Sequence, residues 1–231
     1  MFCQCTLAES VAAVGIGLHS GRKIRLVLHP APEDSGIVFR RVDLNSPVDI
    51  PAAPMNVNDT RMATTVNVGR AAVATIEHLM SAFSGLGVDN CLVEVNAPEI
   101  PVMDGSGAAF VYLIHSAGLV EQKAPRRFVR ILKPVEVREG SKLARLEPHE
   151  GFRLSFRIIR RSTLRINMLT LTFPKSTMNR PYRGAGHSGS FRMWKCFAKL
   201  VLRKAAHCPT PSSWMNSGCS IPEGCANKVN L

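Results

Sequence analysis

Two adjacent residues, Glu77 and His78, have the side chains in this sequence best suited to hydrolytic chemistry. They lie in the segment 74–90, ATIEHLMSAFSGLGVDN. A neutral imidazole is a common metal ligand, and an ionised carboxylate beside it can act as general base on metal-bound water. The pattern by itself leaves an alternative open, in which the pair is an ordinary part of a helix surface.

A helix is the element that must position this pair. Apolar residues recur at i, i+3, i+4 and i+7, namely Ile76, Leu79, Met80 and Phe83, which is typical of one buried helix face. Thr75 is the predicted N-cap, and Gly85 and Gly87 are predicted to end the helix. Glu77 and His78 then fall in the first turn, where the helix dipole favours an ionised carboxylate and a neutral imidazole.

Strands surround this helix in the sequence. Alternating apolar residues predict strands at 23–29, 37–41, 64–68, 70–74 and 91–96. A proline-rich loop at 97–106 precedes a second amphipathic helix at 108–117, which Gly118 closes. We therefore predict an α+β fold, with a complete two-layer sheet-and-helix domain over residues 1–122.

A second, similar layer starts after this domain. Residues 123–127 form a short basic linker, and 128–137, 142–148 and 152–158 have strand patterns. We predict that residues 123–158 are the opening strands of a second α+β domain that is begun and then truncated.

The charge is distributed unevenly along the chain. The net charge is +12, yet residues 151–231 contain 14 Lys and Arg and a single acid, Glu223, whereas residues 1–150 contain 15 Lys and Arg and 16 acids. The basic residues are scattered and have few aromatic partners, so a nucleic-acid-binding protein is the weaker alternative and no nucleic-acid partner is expected. The abrupt change marks two unlike pieces of chain.

The cysteines and hydropathy give an expected location. Seven cysteines contain no Cys-x-x-Cys pair and do not suggest a disulfide framework. The sequence has no apolar run near 20 residues and no signal-like start. We expect a cytoplasmic protein with no transmembrane segment.

Four motifs are similar to the first domain of the UDP-3-O-acyl-N-acetylglucosamine deacetylase family. They are GIGLHSG, APEDSGIVFRRVDL, ATIEHLMSAFSGLGVDN and VEVNAPEIPVMDGSGAAFVYLI. That family contains the zinc amidohydrolases of lipid A biosynthesis in Gram-negative bacteria. The resemblance is collinear from about Thr6 to Ile158.

The resemblance implies a specific site. The family has two similar α+β domains with the active site between them, and binds Zn²⁺ through one histidine of the first domain and a His-x-x-x-Asp pair of the second. His78 matches the first-domain metal ligand, and Glu77 matches the catalytic general base. The water attacks the N-acetyl carbonyl of a nucleotide-sugar substrate. His19 and Met62 lie in segments that approach the cleft, so they are candidate substrate-binding residues. Asp104 is interpreted as a turn-capping acid.

The resemblance ends after Ile158. The family's ARTFGF, HKxLDxxGD and SGHALN segments are missing, no aspartate follows Asp104, and the surroundings of His187 and His207 match no ligand pattern. Shifting the codon register of residues 193–207 and 210–222 can yield the family-like segments DVEVLRETGLAEGGS and AIVLDEFRVLNP. We hypothesise a frameshift near residues 158–160 that leaves 159–231 as a disordered, non-family tail.

The predicted consequence is a chain without activity. Only one of three zinc ligands is present, and the second-domain general acid is lost. We expect either a monomer or an aggregation-prone chain, because the surface facing the missing domain would be exposed. The alternative is a non-catalytic fragment made of the first domain.

Overall fold

The computed structural model describes residues 2–140, 142–159, 166–173 and 229–230. The described residues fall into two compact units. The first contains residues 2–126, and the second contains residues 127–140, 142–159, 166–173 and 229–230. The first unit contains ten strands and two α-helices, which confirms the predicted α+β class. No helix among the described residues has the length and apolar content needed to cross a bilayer.

The strands of the first unit are β1 Cys3–Leu7, β2 Val11–Ile16, β3 Lys23–Pro30, β4 Ile37–Arg41, β5 Val48–Pro51, β6 Val57–Asp59, β7 Thr65–Val68, β8 Ala71–Val73, β9 Cys91–Val95 and β10 Leu119–Pro125. Five of them form the main sheet in the order β2-β3-β9-β4-β5. All pairs in this sheet are antiparallel except β4 with β9. A smaller sheet has the order β6-β7-β8, and β1 pairs with β10.

The two helices are α1 Glu77–Leu86 and α2 Ala108–Ala117. Each turns several apolar side chains inward, and these join the inward residues of the sheets in one buried cluster. The largest fully buried side chains include Phe39, Phe83 and Phe110. Burying an aromatic or aliphatic side chain contributes roughly 1.5–3 kcal/mol, so this cluster fixes how α1 lies against the sheets.

Several predicted boundaries hold and others do not. Strand β4 and helix α2 have the predicted limits, and Gly87 ends α1 in the left-handed conformation with φ of 74°. Thr75 is not the N-cap. Its φ is +61°, the cap is Ile76, and no side chain caps the helix. The predicted linker at 123–127 is wrong in its first part, because residues 123–125 belong to β10 and pair with β1.

The second unit contains an exposed hairpin and a three-stranded sheet. Strands β11 Val135–Glu139 and β12 Lys142–Leu146 pair around Gly140, so the strand predicted at 128–137 begins only at Val135. Strand β13 Phe152–Ile159 pairs along its whole length with β14 Ile166–Phe173, and β14 pairs with β15 Val229–Asn230. Strands β14 and β15, and Ile159 at the end of β13, lie in the segment predicted to be a disordered tail. The rest of that segment lies outside the described residues.

Candidate active site

The start of α1 is held to the neighbouring strands by backbone hydrogen bonds. Ala74 donates its N–H to the Pro98 carbonyl at 2.9 Å and accepts the Ile100 N–H at 2.9 Å. The next residue, Thr75, is buried and has the positive φ that β-branched residues rarely adopt. Such backbone persists only where the surroundings enforce it, and it often lies at functional sites. Here it turns the chain from β8 into the helix that presents Glu77 and His78.

His78 has the properties of a metal ligand. Its side chain is buried, and Nδ1 has no hydrogen-bond partner among the described residues. Burial lowers the pKa of His78, while the nearby carboxylates of Glu77 and Asp104 oppose this effect. The imidazole is therefore neutral near pH 7, with a lone pair available to a metal ion.

Glu77 is half-buried beside His78. Its Oε2 accepts the Thr64 N–H at 3.1 Å, and the Thr64 carbonyl accepts the Ile76 N–H at 3.4 Å. Oε1 makes no hydrogen bond to any described residue, so one carboxylate oxygen is free to accept a proton. This arrangement fits a general base.

The metal site is incomplete in the described part of the chain. Residues 2–140, 142–159, 166–173 and 229–230 contain no group of three His, Cys, Asp or Glu side chains that could hold an ion. A hydrolytic zinc site needs about three protein ligands and an open position. The donor set therefore fits zinc at His78 and does not complete its coordination.

A cleft of about 320 Å³ lies next to this segment. Both candidate substrate-binding residues, His19 and Met62, line it, together with Ser20, Asp59, Ala63, Thr65, Ala74, Pro98 and Glu99. Glu77 and His78 are not part of its lining. Glu77 is nevertheless bonded to Thr64, which lies between two lining residues. The structure thus brings His19 and Met62 together and places the Glu77–His78 pair beside them.

Glu99 is a cleft residue that sequence reasoning missed. Its carboxylate accepts the N–H groups of Ser20 at 2.8 Å and His19 at 3.2 Å, although the residue is only 2 % exposed. Burial acts to raise the pKa of Glu99, but hydrogen bonds from the Ser20 hydroxyl and from the backbone N–H groups of Ser20 and His19 lower it overall. An acid between two prolines, in the APEIP segment, was the available signal.

Asp104 has the capping role expected of it. Its Oδ1 accepts the Ser106 N–H at 3.0 Å and the Ser106 hydroxyl at 2.9 Å. The Ser106 Oγ in turn accepts the N–H of Ala108, the first residue of α2, at 3.1 Å. Asp104 therefore supports the start of α2 while its charge acts on His78.

Comparison with known proteins places these residues in one family. The family model for UDP-3-O-acyl N-acetylglycosamine deacetylase (LpxC) matches residues 4–180. The match thus extends beyond Ile158, where the motif resemblance ends. A UDP-3-O-acyl-N-acetylglucosamine deacetylase of Thioalkalivibrio sulfidiphilus (strain HL-EbGR7) is 55% identical over 158 residues, which are 68% of this chain and 52% of the relative.

The chain thus spans about half the length of that curated relative. The family match covers more than half of the chain and includes both Glu77 and His78. This chain belongs to the UDP-3-O-acyl N-acetylglycosamine deacetylase family.

Proposed function

We propose that this chain carries the first-domain half of a zinc-dependent deacetylase site. The reaction is hydrolysis of the N-acetyl group of UDP-3-O-acyl-N-acetylglucosamine, in lipid A biosynthesis. The observation that carries the proposal is the pair at the start of α1. There His78 is buried and neutral, its Nδ1 has no partner among the described residues, and the adjoining Glu77 carboxylate has one oxygen that bonds none of them. The name of the relative supplies the substrate class.

Each residue has one task in this proposal. His78 is one zinc ligand, and zinc, when bound, would polarise the amide carbonyl and the attacking water. Glu77 takes the proton from water through Oε1, while the bond from the Thr64 amide holds Oε2 in place. His19 and Met62 contact the substrate from the cleft wall.

We further propose that the chain as written does not turn over. No aspartate follows Asp104 in the sequence, so the family's His-x-x-x-Asp ligand pair has no counterpart. A single histidine ligand gives weak metal binding, and the amine leaving group would lack its proton donor. A frameshift near residues 158–160 is the proposed cause, and the nucleotide sequence of the gene tests it directly.

The first experiment measures zinc content and deacetylase activity of the purified full chain. We expect well under one zinc per chain and no turnover. Stoichiometric zinc with turnover that is lost in Glu77→Ala and kept in His115→Gln would contradict the proposed inactivity. His115 lies in α2, outside the cleft lining, so its variant controls for a general effect of changing a partly buried side chain.

A chimera tests the site assignment even if the natural chain is inactive. Residues 1–158 would replace the matching half of the Thioalkalivibrio sulfidiphilus relative, so that the relative supplies its own second half. We expect an active chimera that loses at least about 100-fold in kcat in Glu77→Ala, the lower range for removal of a general base. A folded chimera whose activity is unchanged by Glu77→Ala would contradict the assignment.

A further inference from the structure

The turn formed by residues 17–22, here called the His19 turn, rests on a buried carboxylate. Gly17 accepts the Gly21 N–H at 3.0 Å and donates to the Arg22 carbonyl at 2.9 Å, which closes the turn. The N–H groups of His19 and Ser20 donate to the two carboxylate oxygens of Glu99. His19 itself is exposed and lines the cleft.

The backbone around Glu99 is attached to the start of α1. On either side of it, the Pro98 carbonyl accepts the Ala74 N–H, and Ile100 donates its N–H to the Ala74 carbonyl. Ala74 lies three residues before Glu77. The side chain of Glu99 therefore contacts one wall of the cleft, and its backbone is joined to the segment that leads into the Glu77–His78 pair.

Gly17 makes room for this carboxylate. A Cβ atom at position 17 would lie 1.9 Å from Oε1 of Glu99, which is far inside any possible contact distance. The Glu99 carboxylate can therefore occupy this position only because residue 17 has no side chain.

We propose that Glu99 is a positioning residue that clamps the His19 turn against the segment leading into α1 and so sets where His19 stands on the cleft. The inference rests on the proposed function only where it assigns the cleft to the substrate. A carboxylate suits this role because both oxygens accept N–H groups and the charge strengthens both bonds. A glutamine has one acceptor oxygen, so its NH₂ group would face one of the two N–H donors.

Amide hydrogen exchange, measured by NMR on the full chain, tests the clamp without any need for turnover. In Glu99→Gln we expect exchange at His19 and Ser20 to quicken by at least about tenfold, since bonds to charged groups are the stronger class. The matched control is Glu9→Gln, the same change at an exposed acid. Glu99→Asp keeps the charge at shorter reach and should restore part of the protection.

A second variant, Gly17→Ala, should disrupt the same hydrogen bonds between Glu99 and the His19 turn. Its Cβ should displace the carboxylate, so exchange at His19 and Ser20 should rise as in Glu99→Gln. The double variant should add little to either single change, because both break one interaction. Fully additive effects on the two amides would overturn the clamp, as would unchanged exchange in both single variants.

A pH titration of the unmodified chain provides a readout that mere loss of stability does not produce. The amide resonances of His19 and Ser20 should move together as Glu99 takes up a proton, with a midpoint below the usual glutamate range. His19 and Asp59 are the other titratable side chains on the cleft, so the titration is repeated in Asp59→Asn. The proposal would be overturned if these amide resonances did not respond to pH. It would also be overturned if Glu99→Gln accelerated amide exchange at Leu26 and Leu28 of β3 as much as at His19 and Ser20.

Discussion

Asp89 joins three segments of the first unit. Its Oδ2 accepts the Cys5 N–H at 2.8 Å and bonds Nη2 and Nε of Arg126 at 2.6 and 3.0 Å. Arg126 also donates to the Gly87 carbonyl. One carboxylate therefore ties the end of α1 to β1 and to the residue that follows β10, and partial burial shields these bonds from water.

We expect Asp89→Asn to lower the free energy of unfolding by about 1–2 kcal/mol, because charge-assisted, partly buried bonds are lost. The control is Asp49→Asn, which breaks the exposed pair with Arg40 and should cost less than about 0.5 kcal/mol. Urea unfolding followed by circular dichroism measures both. Equal losses in the two variants would mean that the Asp89 contacts add nothing beyond a surface ion pair.

At the scale of elements, helix α1 is short and depends on how it ends. It has no side-chain cap at its start, and its end relies on Gly87, whose N–H bonds the carbonyls of Phe83 and Ser84. Only glycine adopts this left-handed conformation at low cost. The helix that carries Glu77 and His78 is thus stabilised by packing and by its C-terminal glycine.

Substitution of Gly85, inside α1, and of Gly87, directly after it, should have opposite effects. Gly87→Ala should lose about 1 kcal/mol of stability, because the alanine Cβ is strained at φ of 74° and would lie 3.2 Å from the Arg126 guanidinium. Gly85→Ala, at an exposed position inside the helix, should gain about 0.5–1 kcal/mol. Thermal melting of both variants measures these changes in stability. A loss in Gly85→Ala would indicate that position 85 needs glycine for another reason.

At the scale of the whole molecule, the buried apolar cluster of the described residues lies in the first unit. Its members run from Leu7 to Ala117. The second unit instead exposes apolar side chains along its opening segment and hairpin, namely Phe128, Val129, Leu132, Val135, Val137, Leu143 and Leu146. Contiguous exposed apolar surface promotes association, so the two units should behave differently in solution.

We therefore expect a fragment of residues 1–126 to fold by itself. It should melt cooperatively with a midpoint within a few degrees of the full chain, because it retains the buried cluster that the structure describes and the Asp89–Arg126 bonds. Light scattering should show it to be monodisperse at concentrations where the full chain associates. A fragment that is unfolded would show that residues after 126 are needed for the core.

Local patterns were sufficient wherever neighbouring residues control the structure. Strand β4 and helix α2 follow from apolar periodicity, and Gly87 ends α1 because glycine tolerates a positive φ. The adjacency of Glu77 and His78 is itself a property of the sequence, as are the motifs that gave the family. Strand β1 was not predicted, because its partner β10 lies more than 100 residues away and its register depends on that pairing.

The remaining features depend on residues that are far apart in the chain. Thr75 looks like an N-cap in the sequence, but the bonds that Ala74 makes to the Pro98–Ile100 segment hold this part of the chain, and Thr75 has a φ of +61°. The burial that keeps His78 neutral depends on how α1 packs. Glu99 accepts hydrogen bonds from His19 and Ser20, which lie 80 and 79 residues earlier in the chain, and the missing side chain of Gly17 leaves room for its carboxylate. Sequence determined which chemical groups are present, and tertiary packing decided which of them are desolvated, bonded and brought to the same cleft.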